Sequence, residues 1–189
     1  MKTFHAFTGI GLALVVVGCG GGAATSGDAT ASSSPAAAPA ASSKVVPHAK
    51  LEEFMPSVTG WTRETPPKGE TDAEQGVSRV QADYAQPGGM GGMSLEIMDV
   101  STNASMLEPM RQALRIQGVE KTNTGTKKAT TVAGFPATEE WTPEPGNGVV
   151  SVLVADRFAV TATGSSVGDV SAIYKFLESV DLKKMSALK

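Results

Sequence analysis

The sequence is poor in the residues that build most reactive sites. Its 189 residues include one cysteine and two histidines, and aromatic residues make up 5%. One cysteine excludes a disulfide within the chain. His5 lies in a segment predicted below to be removed, which leaves His48 alone. A two-histidine metal site is therefore excluded and a Ser-His-acid triad is disfavoured. We expect no cofactor and predict that the protein is not an enzyme.

Strong charge and long hydrophobic runs are also missing. The formal net charge is −3 at neutral pH, so the basic surface that binds phosphate backbones is lacking and a nucleic-acid partner is not expected. The longest apolar run, residues 6–17, is shorter than the roughly twenty residues that cross a bilayer. The sequence thus predicts a protein without a membrane-spanning helix.

The first 18 residues have the features of a secretory signal peptide. Lys2 precedes the apolar run, and small residues follow it. The end of this segment, Val16-Val17-Gly18-Cys19, resembles the lipobox of bacterial lipoproteins. The resemblance implies cleavage before Cys19 and attachment of acyl chains such as palmitate, which together bind a membrane firmly. Gly20 stands where an aspartate would resemble an inner-membrane retention signal. In a Gram-negative cell, the outer membrane facing the periplasm is therefore the expected location.

A long spacer is predicted after the acylated cysteine. Residues 19–48 consist mostly of alanine, serine, glycine, threonine and proline, with little apolar bulk to form a core. We predict a disordered tether here and one folded domain over residues 49–189.

The folded domain shows mainly strand patterns. Apolar and polar residues alternate over 78–84, 93–97, 150–154 and 158–162, and residues 129–132 and 137–141 flank a Gly-Phe-Pro turn. Helical spacing over 106–117, with the pattern of a capping box from Ser105 to Glu108, predicts a central helix. A second helix is predicted over 170–177, followed by a short turn from Asp181, while the polar segment 65–76 is predicted to be a loop. The expected fold is α+β, an antiparallel sheet of about five or six strands with a central and a C-terminal helix packed against it.

Four motifs give this domain a resemblance to a known group of proteins. They are Gly60-Trp61, the segment Val132 to Ala137 with its Gly-Phe-Pro centre, a valine-rich strand leading into Asp156-Arg157-Phe158, and Asp181-Leu182 after the last helix. The pattern resembles small lipid-anchored domains of unknown function with a PsbP/Mog1-like architecture. The resemblance implies a fold and a capacity to bind proteins or small ligands, without a shared catalytic set.

Methionines suggest one alternative function. Met90 and Met93 flank two glycines of a predicted hairpin tip, and Met98 follows closely. Thioethers select Cu(I), so these three residues are candidate ligands of a soft-metal site. The competing interpretation is that methionine fills gaps in a core.

Aromatic residues suggest a partner surface. Trp61, Phe135 and Trp141 each lie in a turn-like setting, and together at the surface they would form a binding hot spot. The alternative is that at least Trp61 and Phe135 belong to the core.

Acidic residues give the weakest catalytic signal. Glu139 and Glu140 are adjacent on a predicted strand, so they point to opposite faces, and both are expected to be solvated. An envelope enzyme would need Glu139, Asp156 or Arg157 buried in a cleft. The function predicted from the sequence is a non-enzymatic, lipid-anchored envelope module that binds an envelope protein or an apolar ligand.

Overall fold

The computed structural model describes residues 44–189. Predictions on residues 1–43, including the signal peptide, Cys19 and most of the tether, lie outside the described residues. No helix among residues 44–189 has the length and apolar character needed to cross a membrane.

The fold is α+β, built on one antiparallel sheet of nine strands among the described residues. The strands are β1 (Thr62–Arg63), β2 (Lys68–Asp72), β3 (Val77–Ala85), β4 (Gly92–Asp99), β5 (Val119–Lys121), β6 (Thr126–Val132), β7 (Phe135–Thr142), β8 (Asn147–Val154) and β9 (Phe158–Ser165). The order is β1-β3-β4-β9-β8-β7-β6-β5, and β2 also pairs with β3. The strands predicted from alternation over 78–84, 93–97, 150–154 and 158–162 are confirmed, and β3–β4, β6–β7 and β8–β9 each pair as an antiparallel hairpin.

Short helices lie between and after the strands. They are α1 (His48–Leu51), α2 (Glu108–Ala113), α3 (Ser171–Glu178) and α4 (Leu182–Ser186), with 3-10 turns at Glu52–Phe54 and Ala104–Leu107. The helix predicted over 170–177 is confirmed as α3, which packs against the sheet through Ile173, Phe176 and Leu177. The predicted turn after Asp181 is α4, and the Asp181 side chain accepts a hydrogen bond from the Lys184 amide.

Strand alternation gives the sheet two unlike faces. On the inner face, covered by α1, α3 and α4, β4 places Met93, Leu95 and Ile97 in the core, all at most 2% exposed. On the outer face, a smaller cluster of Leu107, Leu153 and their neighbours packs α2 against one end of the sheet. Helices therefore cover the inner face fully, whereas the outer face is covered only at one end, by α2.

Several predictions about these elements are wrong. The count of five or six strands is too low, because β1, β2 and β5 are short or hydrophilic; β2 lies within the segment 65–76 predicted to be a loop. The central helix is only the 3-10 turn plus α2, shorter than 106–117. The capping box does not form, since the Ser105 hydroxyl donates to the Asn103 side chain instead.

The packed chain reaches into the segment predicted as tether. Val46 is 5% exposed and belongs to the main core. Its amide donates to Asp99 Oδ2 at 2.7 Å, and the Lys44 carbonyl accepts from Arg157 Nη2 at 3.1 Å. The chain is therefore fixed to the sheet at least from residue 44.

Candidate functional site

An open pocket lies at the end of the sheet where β3 ends. The strand β1 pairs with this end, and its register sets Arg63 opposite Tyr84. The loop after the first 3-10 turn closes the side of the pocket, which has a volume of about 440 Å³. The lining residues are Pro56, Ser57, Val58, Thr59, Trp61, Arg63 and Tyr84.

Arg63 is the charged group of this pocket. Its Nη2 donates to the carbonyl oxygens of Met55 and Pro56, each at 3.2 Å, and its Cζ lies 5.6 Å from the Tyr84 ring centroid. Its Nε is buried and has no hydrogen-bond partner among the described residues. An unsatisfied buried donor on a cation is costly, and among the described residues no carboxylate pairs with the guanidinium, so its positive charge is not neutralised.

Tyr84 and Trp61 give the pocket an aromatic base. Tyr84 is 2% exposed and its hydroxyl donates to the Pro56 carbonyl at 3.1 Å. Burial raises the pKa of Tyr84, while Arg63 acts in the opposite direction, and the phenol stays a neutral donor near neutral pH. Phe176 packs edge-on against both rings, with centroids 6.0 Å from Trp61 and 4.8 Å from Tyr84. The aromatic base is thus held by the core and does not depend on a ligand for its position.

A second pocket, of about 320 Å³, lies beside β2 and β3 and has a different chemistry. Arg79 in this pocket already pairs with Glu70 at 2.8 Å, and both side chains are more than half exposed. A solvated, internally paired surface binds ligands weakly. The Arg63 pocket is therefore the stronger candidate.

The predicted aromatic surface is not assembled as one patch. Trp61 lines the Arg63 pocket, but Phe135 and Trp141 lie at opposite ends of β7. All three rings are partly buried and pack against the main core. Of the three, only Trp61 belongs to the candidate site.

The three candidate copper ligands do not converge. Met90 lies in the β3–β4 turn and is 95% exposed, whereas Met93 is 2% exposed on the inner face. Met98 packs in the cluster of the outer face, because it lies five positions after Met93 along β4 and so points to the opposite face. Among the described residues, no group of three histidine, cysteine, aspartate or glutamate side chains is arranged to hold a metal ion.

Glu139 corrects the prediction that both neighbouring glutamates are solvated. Glu140 is exposed and pairs with Lys127 at 2.5 Å, but Glu139 is 4% exposed. Glu139 accepts a hydrogen bond from the Tyr174 hydroxyl and pairs with Lys128 Nζ at 3.1 Å. Burial, followed by the hydrogen bond to Glu139, raises the pKa of Tyr174 to about 12. This cluster joins α3 to β6 and β7, and its polar groups bond to one another.

Arg157 and Asp156, the other residues weighed for an enzyme, also have partners. Asp156 is exposed and pairs with Arg111 at 3.0 Å. Arg157 binds both carboxylate oxygens of Asp99, at 2.9 and 2.7 Å. Asp99 is fully buried, and sequence reasoning did not single it out, although it continues the inward series of Met93, Leu95 and Ile97.

The sequence likewise indicates the Arg63 pocket only in part. Trp61 is a candidate from its turn-like setting, and alternation over 78–84 predicts Tyr84 on a strand, but no pattern in the sequence links Arg63 to them. The pairing of two-residue β1 with β3 brings them together.

No known protein family, curated protein or solved structure matches this chain.

Proposed function

We propose that the protein is a non-enzymatic binding module of the cell envelope, attached to a membrane through acylated Cys19. The lipobox-like segment at residues 16–19 supports the anchor, and in a Gram-negative cell the outer membrane facing the periplasm is its location. The resemblance to PsbP/Mog1-like lipoprotein domains agrees with a binding role.

The observation that carries the binding role is the Arg63 pocket. A concave site with aromatic walls and one positioned polar group is the usual form of a small-molecule site. Trp61 and Tyr84 supply the apolar surface, and Arg63 supplies a guanidinium that no carboxylate of the described residues neutralises. The described residues of the pocket include no thiol, imidazole or carboxylate, so its chemistry suits binding.

The position of the pocket suits an anchored receptor. The chain is fixed at Lys44 beside Asp99, at the end of β4, whereas Tyr84 pairs with Met93 near the start of β4. Six residues of extended strand place these points roughly 20 Å apart. A protein tethered through residues 19–43 therefore presents its pocket at the end away from the point where the tether joins the domain.

The anchor is tested by following labelled palmitate in cells that express the full chain. The wild type and a Ser32→Ala control should incorporate label and sediment with membranes, whereas Cys19→Ser should do neither. Label or membrane attachment in Cys19→Ser would contradict the proposed anchor.

The binding role is tested by native mass spectrometry of the full chain released gently from those membranes, together with crosslinking in intact cells. We expect a bound small molecule or a specific crosslinked envelope protein. A chain that carries no ligand and forms no specific crosslink would contradict the binding role.

A further inference from the structure

Arg63 differs from the other partly buried cations of the described residues because it lacks a carboxylate. The remaining members of that set are Arg111, Lys127, Lys128 and Arg157. Each of these four forms an ion pair with an aspartate or glutamate, at distances from 2.5 to 3.1 Å. Arg63 has two carbonyl oxygens and an aromatic face instead. Within this fold, a partly desolvated cation is normally neutralised, and Arg63 is the exception.

We propose that the pocket binds a small monocarboxylate with a flat apolar group, whose carboxylate pairs with Arg63 and whose apolar group packs on Trp61. This inference rests on the proposed binding function and names its ligand class. The guanidinium matches a carboxylate in shape and charge, and a charge-assisted pair forms more strongly where water is partly excluded.

The charge of the pocket selects a monoanion over a phosphate. Of the described residues that line it, only Arg63 is charged. A phosphate monoester carries up to two negative charges at neutral pH, and a single guanidinium leaves one of them unpaired. The carbonyl oxygens of Met55 and Pro56 lie beside the same guanidinium and would repel that second charge. A single carboxylate neutralises the one positive charge of the pocket, that of Arg63.

The size of the pocket selects a small molecule. Its volume of about 440 Å³ lies near the lower end of the usual range for ligand sites. The neutral hydroxyls of Ser57 and Thr59 lie on its rim and are exposed. They are available as donors to the ligand without adding charge.

The experiment uses Trp61 fluorescence in the full, detergent-solubilised chain carrying Trp141→Phe. Trp61 is then the sole tryptophan, because the chain contains two. The probes are 3-phenylpropionate, its neutral amide and phenyl phosphate, each titrated to millimolar concentration. Comparing the acid with the amide changes one charge on the ligand and leaves the protein intact.

We expect the acid to bind about tenfold more tightly than the amide, as the loss of a charged hydrogen bond predicts, and more tightly than the phosphate. Arg63→Gln should remove the preference for the acid over the amide, and Arg63→Lys should restore part of it. Arg79→Gln, which removes an exposed arginine on the other face of the neighbouring strand, should leave the preference unchanged.

Equal binding of acid and amide, tighter binding of phosphate, or no response of Trp61 to any probe would overturn the proposed ligand class. The acid–amide comparison decides the question even if the Arg63 variants do not fold. If the probes fail while native mass spectrometry finds another ligand or crosslinking finds a partner, only this inference fails. If both of those measurements are also negative, the proposed function fails with it.

Discussion

Asn in place of Asp99 is expected to destabilise the domain strongly, because four donors converge on this fully buried carboxylate. Arg157 binds it through Nε and Nη2, and the amides of Val46 and Ser101 donate at 2.7 and 3.0 Å. Asparagine has nearly the same shape but turns one acceptor atom into a donor. Each oxygen accepts from two of the four donors, so two donors then lose their partner, and the guanidinium of Arg157 loses its counter-charge.

The size of the effect follows from burial. Removing one member of a buried ion pair destabilises a protein by about 3–5 kcal/mol. The Arg157 side chain retains 12% exposure, and asparagine keeps one acceptor, so we expect a loss of about 3 kcal/mol. An exposed pair contributes at most about 1 kcal/mol. Glu70→Gln, which breaks the exposed pair with Arg79, is therefore the matched control.

The pH dependence gives an independent check on Asp99. Burial alone would raise the pKa of Asp99, but the hydrogen bonds from Arg157, Val46 and Ser101 together hold it below its ordinary value. A lowered pKa means that the unfolded chain binds this proton more readily. The stabilisation is therefore complete above the ordinary pKa of about 4 and is lost as the pH falls through the lower value in the folded protein.

Urea unfolding followed by circular dichroism measures both effects. We expect Asp99→Asn to lower the free energy of unfolding by about 3 kcal/mol at pH 7, and the gap to the wild type to narrow below pH 4. Trypsin should also cut after Lys44 faster in the variant, since Lys44 and Val46 are held by this ion pair. A loss below about 1 kcal/mol at pH 7, equal to that of Glu70→Gln, would refute the reasoning.

Two further substitutions test other contacts. The pKa of Tyr174 is raised to about 12, so wild-type stability should fall as the pH rises from 10 through 12. Tyr174→Phe should make that decline smaller, and Tyr84, whose pKa burial also raises, should account for part of what remains. An unchanged alkaline slope in the variant would contradict the assignment. Gly125→Ala places a Cβ 1.8 Å from the Trp141 carbonyl oxygen and should lower the free energy of unfolding by about 1–3 kcal/mol. In the control Gly92→Ala, the nearest atom to the new Cβ is 4.0 Å away, so this variant should be more stable than Gly125→Ala. Equal melting temperatures of the two variants would contradict this steric argument.

The sequence predicted the parts of the fold that periodic burial determines. Strands β3, β4, β8 and β9 bury every second side chain, and this alternation is visible in the order of residues. The sequence did not predict the strands β2 and β5, because nearly all of their side chains are exposed. Their pairing rests on backbone hydrogen bonds to a neighbouring strand, and the hydropathy of a sequence does not indicate such bonds.

The candidate site was less predictable because its residues meet through long-range pairing. Arg63 and Tyr84 are opposite each other only because β1 pairs with the end of β3. Glu139 was expected to be solvated, as most glutamates are, but the Tyr174 hydroxyl and the Lys128 ammonium satisfy it in the interior. Strand parity could have indicated that Asp99 points inward, yet parity cannot name Arg157 as its partner.

The ion pair and the pocket are joined by one stretch of chain. This stretch, residues 46–56, begins at Val46, whose amide donates to Asp99, and ends at Pro56. The carbonyl oxygen of Pro56 accepts hydrogen bonds from both Arg63 and Tyr84. Between these ends, Leu51 and Phe54 are anchored in the core. A force applied to the chain at Lys44 would therefore act on the Asp99–Arg157 pair and on the core residues before it could displace the residues that line the pocket. The buried ion pair thus lies between the first described residue and the Arg63 pocket. If the chain is attached to a membrane through Cys19 as proposed, the ion pair would keep a force on the N-terminal segment from altering the geometry of the pocket.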